Sequence, residues 1–307
     1  MNSNYTDSSA SQDVSVDSNN EVSFDLQHKA DKPEWWSDDG HGWQDTYIAT
    51  KRVFPDGQVE VMVRKEKFFV GAALVAVPRS KRGESENRLA NDDDAGRRAK
   101  KRVRQCCKAL GADRLVTLTY RENMVDRERA LADWKKFTRR LNKAKAFKYV
   151  AVIEEQKRGA LHFHVAVAGR QNYYLLRSIW QSVVGLGQYG EQMGQVNVRD
   201  PHRFGFGRNG LHKLASYIAK YCSKQMDCRG LNQKRYLCSR GIDIPESDSW
   251  RIASTTMLGA VQTAFAIIGD YNFDGLQTWV NNGLGVVWLA SCPIAGRSAG
   301  GVFDVPF

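Results

Sequence analysis

The sequence lacks the features of a membrane protein, of a disulfide-linked secreted scaffold and of an ATP-driven motor. No apolar run reaches the roughly 18 residues that a membrane-spanning helix needs, and the best candidate, 257–268, contains Gln262 and Thr263. None of the six cysteines forms a C-x-x-C pair, and the N-terminal residues do not resemble a basic, apolar signal peptide. The pattern G-x-x-x-x-G-K-[ST] of a phosphate-binding loop is also absent. We therefore expect a cytoplasmic protein without disulfides and without a helicase of its own.

Negative charge is scarce outside the first 50 residues. The net charge is +11, yet residues 1–50 hold ten acidic side chains and two lysines, so about +19 remains on the rest of the chain. A folded body with this charge favours a polyanionic partner, and nucleic acid is favoured over a merely solvated basic surface. Residues 1–45 are rich in Ser, Asn and Asp, have few large apolar side chains, and are predicted to be disordered.

Hydrophobic periodicity predicts one α+β domain over residues 46–249 and a small appended subdomain over residues 250–307. Strands are predicted over 59–63 and 68–77, as a hairpin, and over 115–120, 149–153 and 161–168. Helices are predicted over 91–110, 130–141, 174–184 and 211–225. Trp134 and Phe137 lie on the apolar stripe of the second helix and are expected in the core, whereas Arg139 and Arg140 lie on its other face.

His162 and His164 are separated by one apolar residue within a predicted strand, so both imidazoles point to the same face. Glu154 lies on the preceding strand and can supply a third metal ligand, with Glu155 as a rival because the register of the turn is open. Two imidazoles and one carboxylate leave positions for water and a phosphate oxygen. A metal bound there would act as a Lewis acid on a phosphate.

Tyr217 and Tyr221 are four residues apart on a predicted helix, so their phenols share a face. Lys220 and Lys224 accompany them. A phenol has a pKa near 10 and is a poor nucleophile at neutral pH. A neighbouring ammonium and a metal-bound phosphate would favour the phenolate during attack.

In this order and spacing, these motifs resemble those of the HUH endonucleases that start rolling-circle replication. The family's three motifs correspond to Val116–Tyr120, to His162-Phe163-His164 with Glu154 eight positions upstream, and to Tyr217-x-x-Lys220-Tyr221. The resemblance covers about residues 110–245. Two tyrosines bring the chain nearer to the two-tyrosine initiators of phages and plasmids than to the single-tyrosine initiators.

The resemblance implies an α+β fold with a central antiparallel sheet of the RRM or ferredoxin-like type, helices packed on one face and the histidines on the exposed face. It implies Mg²⁺ or Mn²⁺ bound by His162, His164 and Glu154. It also implies attack by Tyr217 or Tyr221, assisted by Lys220, on single-stranded origin DNA. The products are a 5′-phosphotyrosine link and a 3′-OH primer, and the strand is later rejoined. We expect DNA contacts from Arg158, Lys224, Arg139 and Arg140.

The same resemblance places the protein in the cytoplasm of a bacterial host cell, where a host or partner helicase and a DNA polymerase would act with it. Three alternatives remain open. The first is an HUH transposase or mobilisation relaxase, although relaxases usually carry the tyrosine ahead of the histidines. The second is a non-catalytic, RRM-like nucleic-acid-binding protein. The third is an unrelated metal-dependent hydrolase, which would form no covalent adduct.

Overall fold

The structure, a computed structural model, describes residues 27–28, 42–70, 81, 84–199, 210–222, 233–252, 254–269 and 275–292. Residues 27–28 and 42–45 belong to strands; the remainder of the predicted disordered segment 1–45 and the predicted DNA contact Lys224 lie outside the described residues. Across those ranges, every helix is too short or too polar to cross a membrane. In chain order the elements are β1 (Gln27–His28), β2 (Gly42–Val53), β3 (Val59–Val70), α1 (Arg88–Leu110), β4 (Arg114–Tyr120), α2 (Arg127–Ala144), β5 (Val150–Glu155), β6 (Leu161–Val167), α3 (Tyr173–Val184), β7 (Gly194–Arg199), α4 (Gly210–Lys220), β8 (Leu237–Cys238), β9 (Ser247–Ile252), α5 (Met257–Ile268), β10 (Gln277–Asn281) and β11 (Val286–Ala290).

Five antiparallel strands form the first sheet, in the order β7-β4-β6-β5-β8, with the histidine strand β6 at its centre. Helices α2 and α3 pack on one face of this sheet. Trp134 and Phe137, both predicted as core residues, are almost fully buried there and pack with Trp180 and Phe163. Helix α2 begins where the Asp126 carboxylate accepts two backbone N–H bonds, as an N-cap does. The predicted α+β class and central antiparallel sheet are confirmed.

Helices α1 and α4 form a second helical layer on the opposite face of the first sheet. Leu214 and Ile218 of α4 are fully buried against Val150 and Val152 of β5, together with Val103 of α1. The sequence predicted that the histidines would lie on an exposed face. Instead, this layer leaves His162 only 9% and His164 only 6% exposed, because the apolar stripe of α4 must itself be buried.

Six strands form the second sheet, in the order β1-β9-β2-β3-β11-β10. It unites residues from both ends of the chain: β2 pairs with β9, and β3 pairs with β11. Apolar residues of α5 cover one face of this sheet. The predicted boundary between residues 249 and 250 therefore falls inside β9, and the residues after it do not form a separate appended unit. The predicted partner of strand 59–63 was also wrong, because β3 continues to Val70 and pairs with β2. Residues 71–77 lie outside the described residues.

Glu60 of β3 joins the second sheet to helix α1. Its carboxylate accepts hydrogen bonds from Arg104 at 2.8 Å, from Lys108 at 3.1 Å and from the Trp288 indole at 2.7 Å. Burial would raise the pKa of Glu60, but the two cations and the indole N–H lower it to about 2. The carboxylate is therefore charged at neutral pH and fixes α1 between the two sheets.

Candidate functional site

The register between β5 and β6 decides which acidic residue shares the histidine face. Glu154 lies directly opposite His162, and Glu155 lies opposite Leu161. Directly opposed residues of antiparallel strands point to the same face, and so do residues two apart on one strand. Glu154, His162 and His164 therefore lie together on the face covered by α4. Glu155 points to the other face.

Each histidine has a hydrogen-bonding neighbour at Nδ1. The Nδ1 of His162 lies 3.1 Å from Nε2 of Gln156, and the Nδ1 of His164 lies 3.5 Å from the Thr117 hydroxyl. The Nε2 of His164 lies 2.6 Å from a carboxylate oxygen of Glu154. Burial lowers the pKa of His162, as do His164 and Arg158, against the opposing effect of Glu154. His162 is therefore held in the neutral form that a metal ligand requires.

The two tyrosines meet beside His164. The ring of Tyr221 stacks on the His164 ring, with centroids 4.7 Å apart and planes 12° apart, and Tyr217 meets the same ring edge-on at 5.8 Å. The two phenol rings are 5.2 Å apart. Tyr221 follows the last residue of α4, and its N–H bonds to the carbonyl of Ile218, so the helix ends in a tightened turn. The prediction of a shared face holds, although only Tyr217 lies within the helix itself.

The tyrosines differ in exposure. Tyr221 is 5% exposed, whereas Tyr217 is half-buried. Burial raises the pKa of Tyr221, and its hydrogen bond with Tyr217 and the charge of Glu154 raise it further. Because a raised pKa makes the phenolate harder to form, Tyr217 is the better placed of the two for a first nucleophilic attack.

Lys220 lies over both phenol rings. Its ammonium is 4.7 Å from the centroid of Tyr217 and 5.3 Å from that of Tyr221, within cation–π range. The side chain is exposed to solvent. A cation here stabilises negative charge on either phenol and is available to a phosphate.

The metal-binding prediction can be compared with the donor set. His162, His164 and Glu154 offer nitrogen and oxygen ligands on one face, and Gln156 supplies the second hydrogen bond that usually orients a ligating imidazole. Within the described ranges, however, no three His, Cys, Asp or Glu side chains converge as a metal site. The donors fit a divalent cation by type and by placement. Convergence of all three on one ion would require Glu154 to exchange its hydrogen bond with His164 for a bond to the metal.

The remaining predicted contacts separate into two groups. Arg158 lies in the turn between β5 and β6 and is close enough to lower the pKa of His162. Arg139 and Arg140 project from the outer side of α2, on the other face of the first sheet, and Arg140 donates a 2.7 Å hydrogen bond to the Ser182 hydroxyl. Sequence reasoning gave no role to Gln156 or to the Thr117 hydroxyl. The position of Thr117 on the strand next to β6 was the available signal for its contact.

Comparison with known proteins bears on this site. A family of replication-associated proteins, described by the designation ORF2, has a model that matches residues 113–226. The matched segment covers less than half of the chain, begins one residue before β4, and contains both histidines, Glu154 and both tyrosines. It identifies this segment as that of a replication-associated, Rep-type protein and links the chain to DNA replication. No curated protein and no solved structure gave a significant match.

Proposed function

We propose that this protein initiates rolling-circle replication by cutting single-stranded origin DNA and later rejoining it. The observation that carries the proposal is the position of His164, which contacts both tyrosine rings and Glu154 at once. Phosphate ligands and nucleophiles are thereby brought to one point of the first sheet. The family match to replication-associated proteins supports the same role.

In the proposed first step, the Tyr217 oxygen attacks the scissile phosphorus and the bond from phosphorus to the 3′ oxygen breaks. The phenol proton passes through solvent to the departing oxygen. The products are a 5′-phosphotyrosine link and a free 3′-OH, which can prime a polymerase. Tyr221 would attack the regenerated junction after one circuit, and the released 3′-OH would then attack the first phosphotyrosine and rejoin the strand.

The residues around the tyrosines have distinct proposed roles. His162, His164 and Glu154 would hold Mg²⁺ or Mn²⁺, which when bound supplies Lewis-acid polarisation of a phosphate oxygen. Lys220 favours the attacking phenolate through its position above both rings. Arg158, in the turn beside His162, neutralises the phosphate on the 5′ or 3′ side. Because the sequence contains no phosphate-binding loop for ATP, strand separation is assigned to a host or partner helicase.

The proposal is tested with a pool of randomised single-stranded oligonucleotides labelled at the 3′ end and incubated with Mn²⁺. The label should migrate with the protein on a denaturing gel, since the 3′ fragment carries the phosphotyrosine link. The double variant Tyr217→Phe/Tyr221→Phe should form no adduct. Tyr236→Phe is the matched control, because Tyr236 packs against the same cluster but directly precedes β8, at the edge of the first sheet.

The outcomes separate the competing functions. An adduct that persists in the double variant would overturn the proposed nucleophiles. Cleavage without any adduct would favour a metal-dependent hydrolase, and binding without cleavage would favour a non-catalytic, RRM-like binding protein. Transfer of the cut strand into an unrelated DNA would favour a transposase or relaxase.

A further inference from the structure

The outer face of α3 and the loop after it form an open groove of about 670 Å³, which we name the α3 groove. It lies outside the site described above, on the side of the first sheet that carries α2 and α3. Most of the residues that line it are polar, and none of them is acidic. The polar lining residues are Tyr174, Arg177, Ser178, Gln181, Ser182 and Gln192.

Aromatic rings at this groove are unusually exposed. Tyr174 is 79% exposed at the first turn of α3, and Tyr189 is 87% exposed in the following loop. Large aromatic side chains are normally buried, and neither ring packs against the hydrophobic core. An exposed ring of this kind offers a flat surface on which an unpaired base can stack.

The charge of the groove suits a phosphate backbone. Arg177 lines it directly, and the hydrogen bond from Arg140 to Ser182 brings a second guanidinium to its wall. The one carboxylate of the following loop, Glu191, is folded back and accepts a hydrogen bond from the Tyr189 N–H at 3.0 Å. The groove therefore combines positive charge, amide and hydroxyl groups, and a stacking surface.

Strand register places one end of this groove near the histidines. Gly194, the first residue of β7, pairs with Tyr120, and Leu118 pairs with Phe163. The loop before β7 therefore lies at the end of the first sheet that carries His162. From that end the groove follows α3 back to Tyr174, roughly 16 Å at 1.5 Å per residue.

We propose that the α3 groove binds the single-stranded DNA that flanks the scissile phosphate, with Tyr174 stacked on a base and Arg177 on a phosphate. A duplex fits this surface poorly, because its bases are stacked on one another and present no free face to a tyrosine. The assignment of the strand as the cleavage substrate rests on the function proposed above. Binding itself does not depend on cleavage and is measured separately.

The test uses fluorescence anisotropy of a labelled oligothymidine, titrated onto the Tyr217→Phe/Tyr221→Phe protein so that no cutting intervenes. Adding Tyr174→Ala should weaken binding by roughly 5- to 100-fold, the equivalent of one lost base stack. Tyr174→Phe should retain binding, because the ring is kept. Arg177→Ala should weaken binding and lower the salt dependence by about one phosphate contact. Lys143→Ala, an exposed cation on α2 away from the groove, is the control for charge alone.

The results separate this inference from the proposed function. If Tyr174→Ala and Arg177→Ala bind oligothymidine as tightly as the parent protein, or if Lys143→Ala weakens binding as much as Arg177→Ala, the groove is not a strand-binding site. Adduct formation by the otherwise wild-type protein would survive that result. Conversely, weakened binding in the groove variants with no adduct from the wild-type protein would retain the groove and reject the nicking activity. Circular dichroism of each variant checks that its fold is intact.

Discussion

Replacing Glu60 by glutamine should strongly destabilise the protein. The substitution keeps the shape of the side chain and an acceptor for the Trp288 indole, but it removes the negative charge that Arg104 and Lys108 contact. The side chain of Lys108 is 0% exposed, so its ammonium would remain buried without a carboxylate. Breaking a buried ion pair by removing one partner costs about 3–5 kcal/mol. For a chain of this size, that loss corresponds to a fall in Tm of roughly 10 °C.

Urea unfolding followed by circular dichroism measures this change. The matched control is Asp45→Asn, which removes the carboxylate of an ion pair with Lys65 whose side chains are 41% and 43% exposed. Such exposed pairs contribute little to stability, so the control should unfold almost like the wild type. In the double variant Glu60→Gln/Lys108→Met, no buried ammonium remains, and much of the lost stability should return.

The pH dependence gives a second reading of the same interaction. The pKa of Glu60 is held at about 2, below its ordinary value of 4.5. Its stabilising contribution is therefore complete above pH 4.5 and is lost as the pH falls toward 2. The difference in unfolding free energy between wild type and Glu60→Gln should shrink across that interval. A cost of Glu60→Gln below about 1 kcal/mol, or a double variant no more stable than the single one, would refute the reasoning.

Three further predictions concern the first sheet and its site. Tyr217→Phe should reduce the first cut by at least about 10³-fold, whereas Tyr221→Phe should retain it and lose rejoining; the reverse pattern in single-turnover assays would assign the first attack to Tyr221. Glu154→Gln should lower nicking roughly 10- to 100-fold, whereas Glu155→Gln, on the other face of β5, should leave it nearly unchanged; equal effects would argue against a role for the histidine face. Trp180→Ala should lower the unfolding free energy by about 3–5 kcal/mol, because the fully buried indole packs in the core and donates to the backbone of β4; a loss under 1 kcal/mol in urea unfolding would contradict that placement.

Local patterns were sufficient to predict most elements of the first sheet. The alternation around Thr117 and the apolar stripe of Trp134 and Phe137 predicted β4 and α2 to within a few residues, since each pattern lies within a single element. Strand β7 was missed, because it lies in a glycine-rich polar run where alternation is weak. The sharing of one face by His162 and His164 followed from the strand period alone.

Long-range pairing explains what the sequence did not predict. The second sheet depends on contacts such as that between Ile48 and Arg251, and no local pattern links residues so far apart in the chain. The burial of the histidines depends in the same way on where α4 packs. Gln156 could not be assigned a role, because its contact with His162 depends on the path of the turn between β5 and β6.

The central claim is tested most directly by identifying the residue that becomes bonded to DNA. Nuclease digestion of the adduct, followed by trypsin, separates the two tyrosines, because cleavage after Lys213, Lys220 and Lys224 places them on different peptides. Mass spectrometry should find a 5′-nucleotide on the peptide 214–220, which contains Tyr217, after a single cut. A nucleotide found on neither this peptide nor peptide 221–224, despite cleavage of the DNA, would contradict the account.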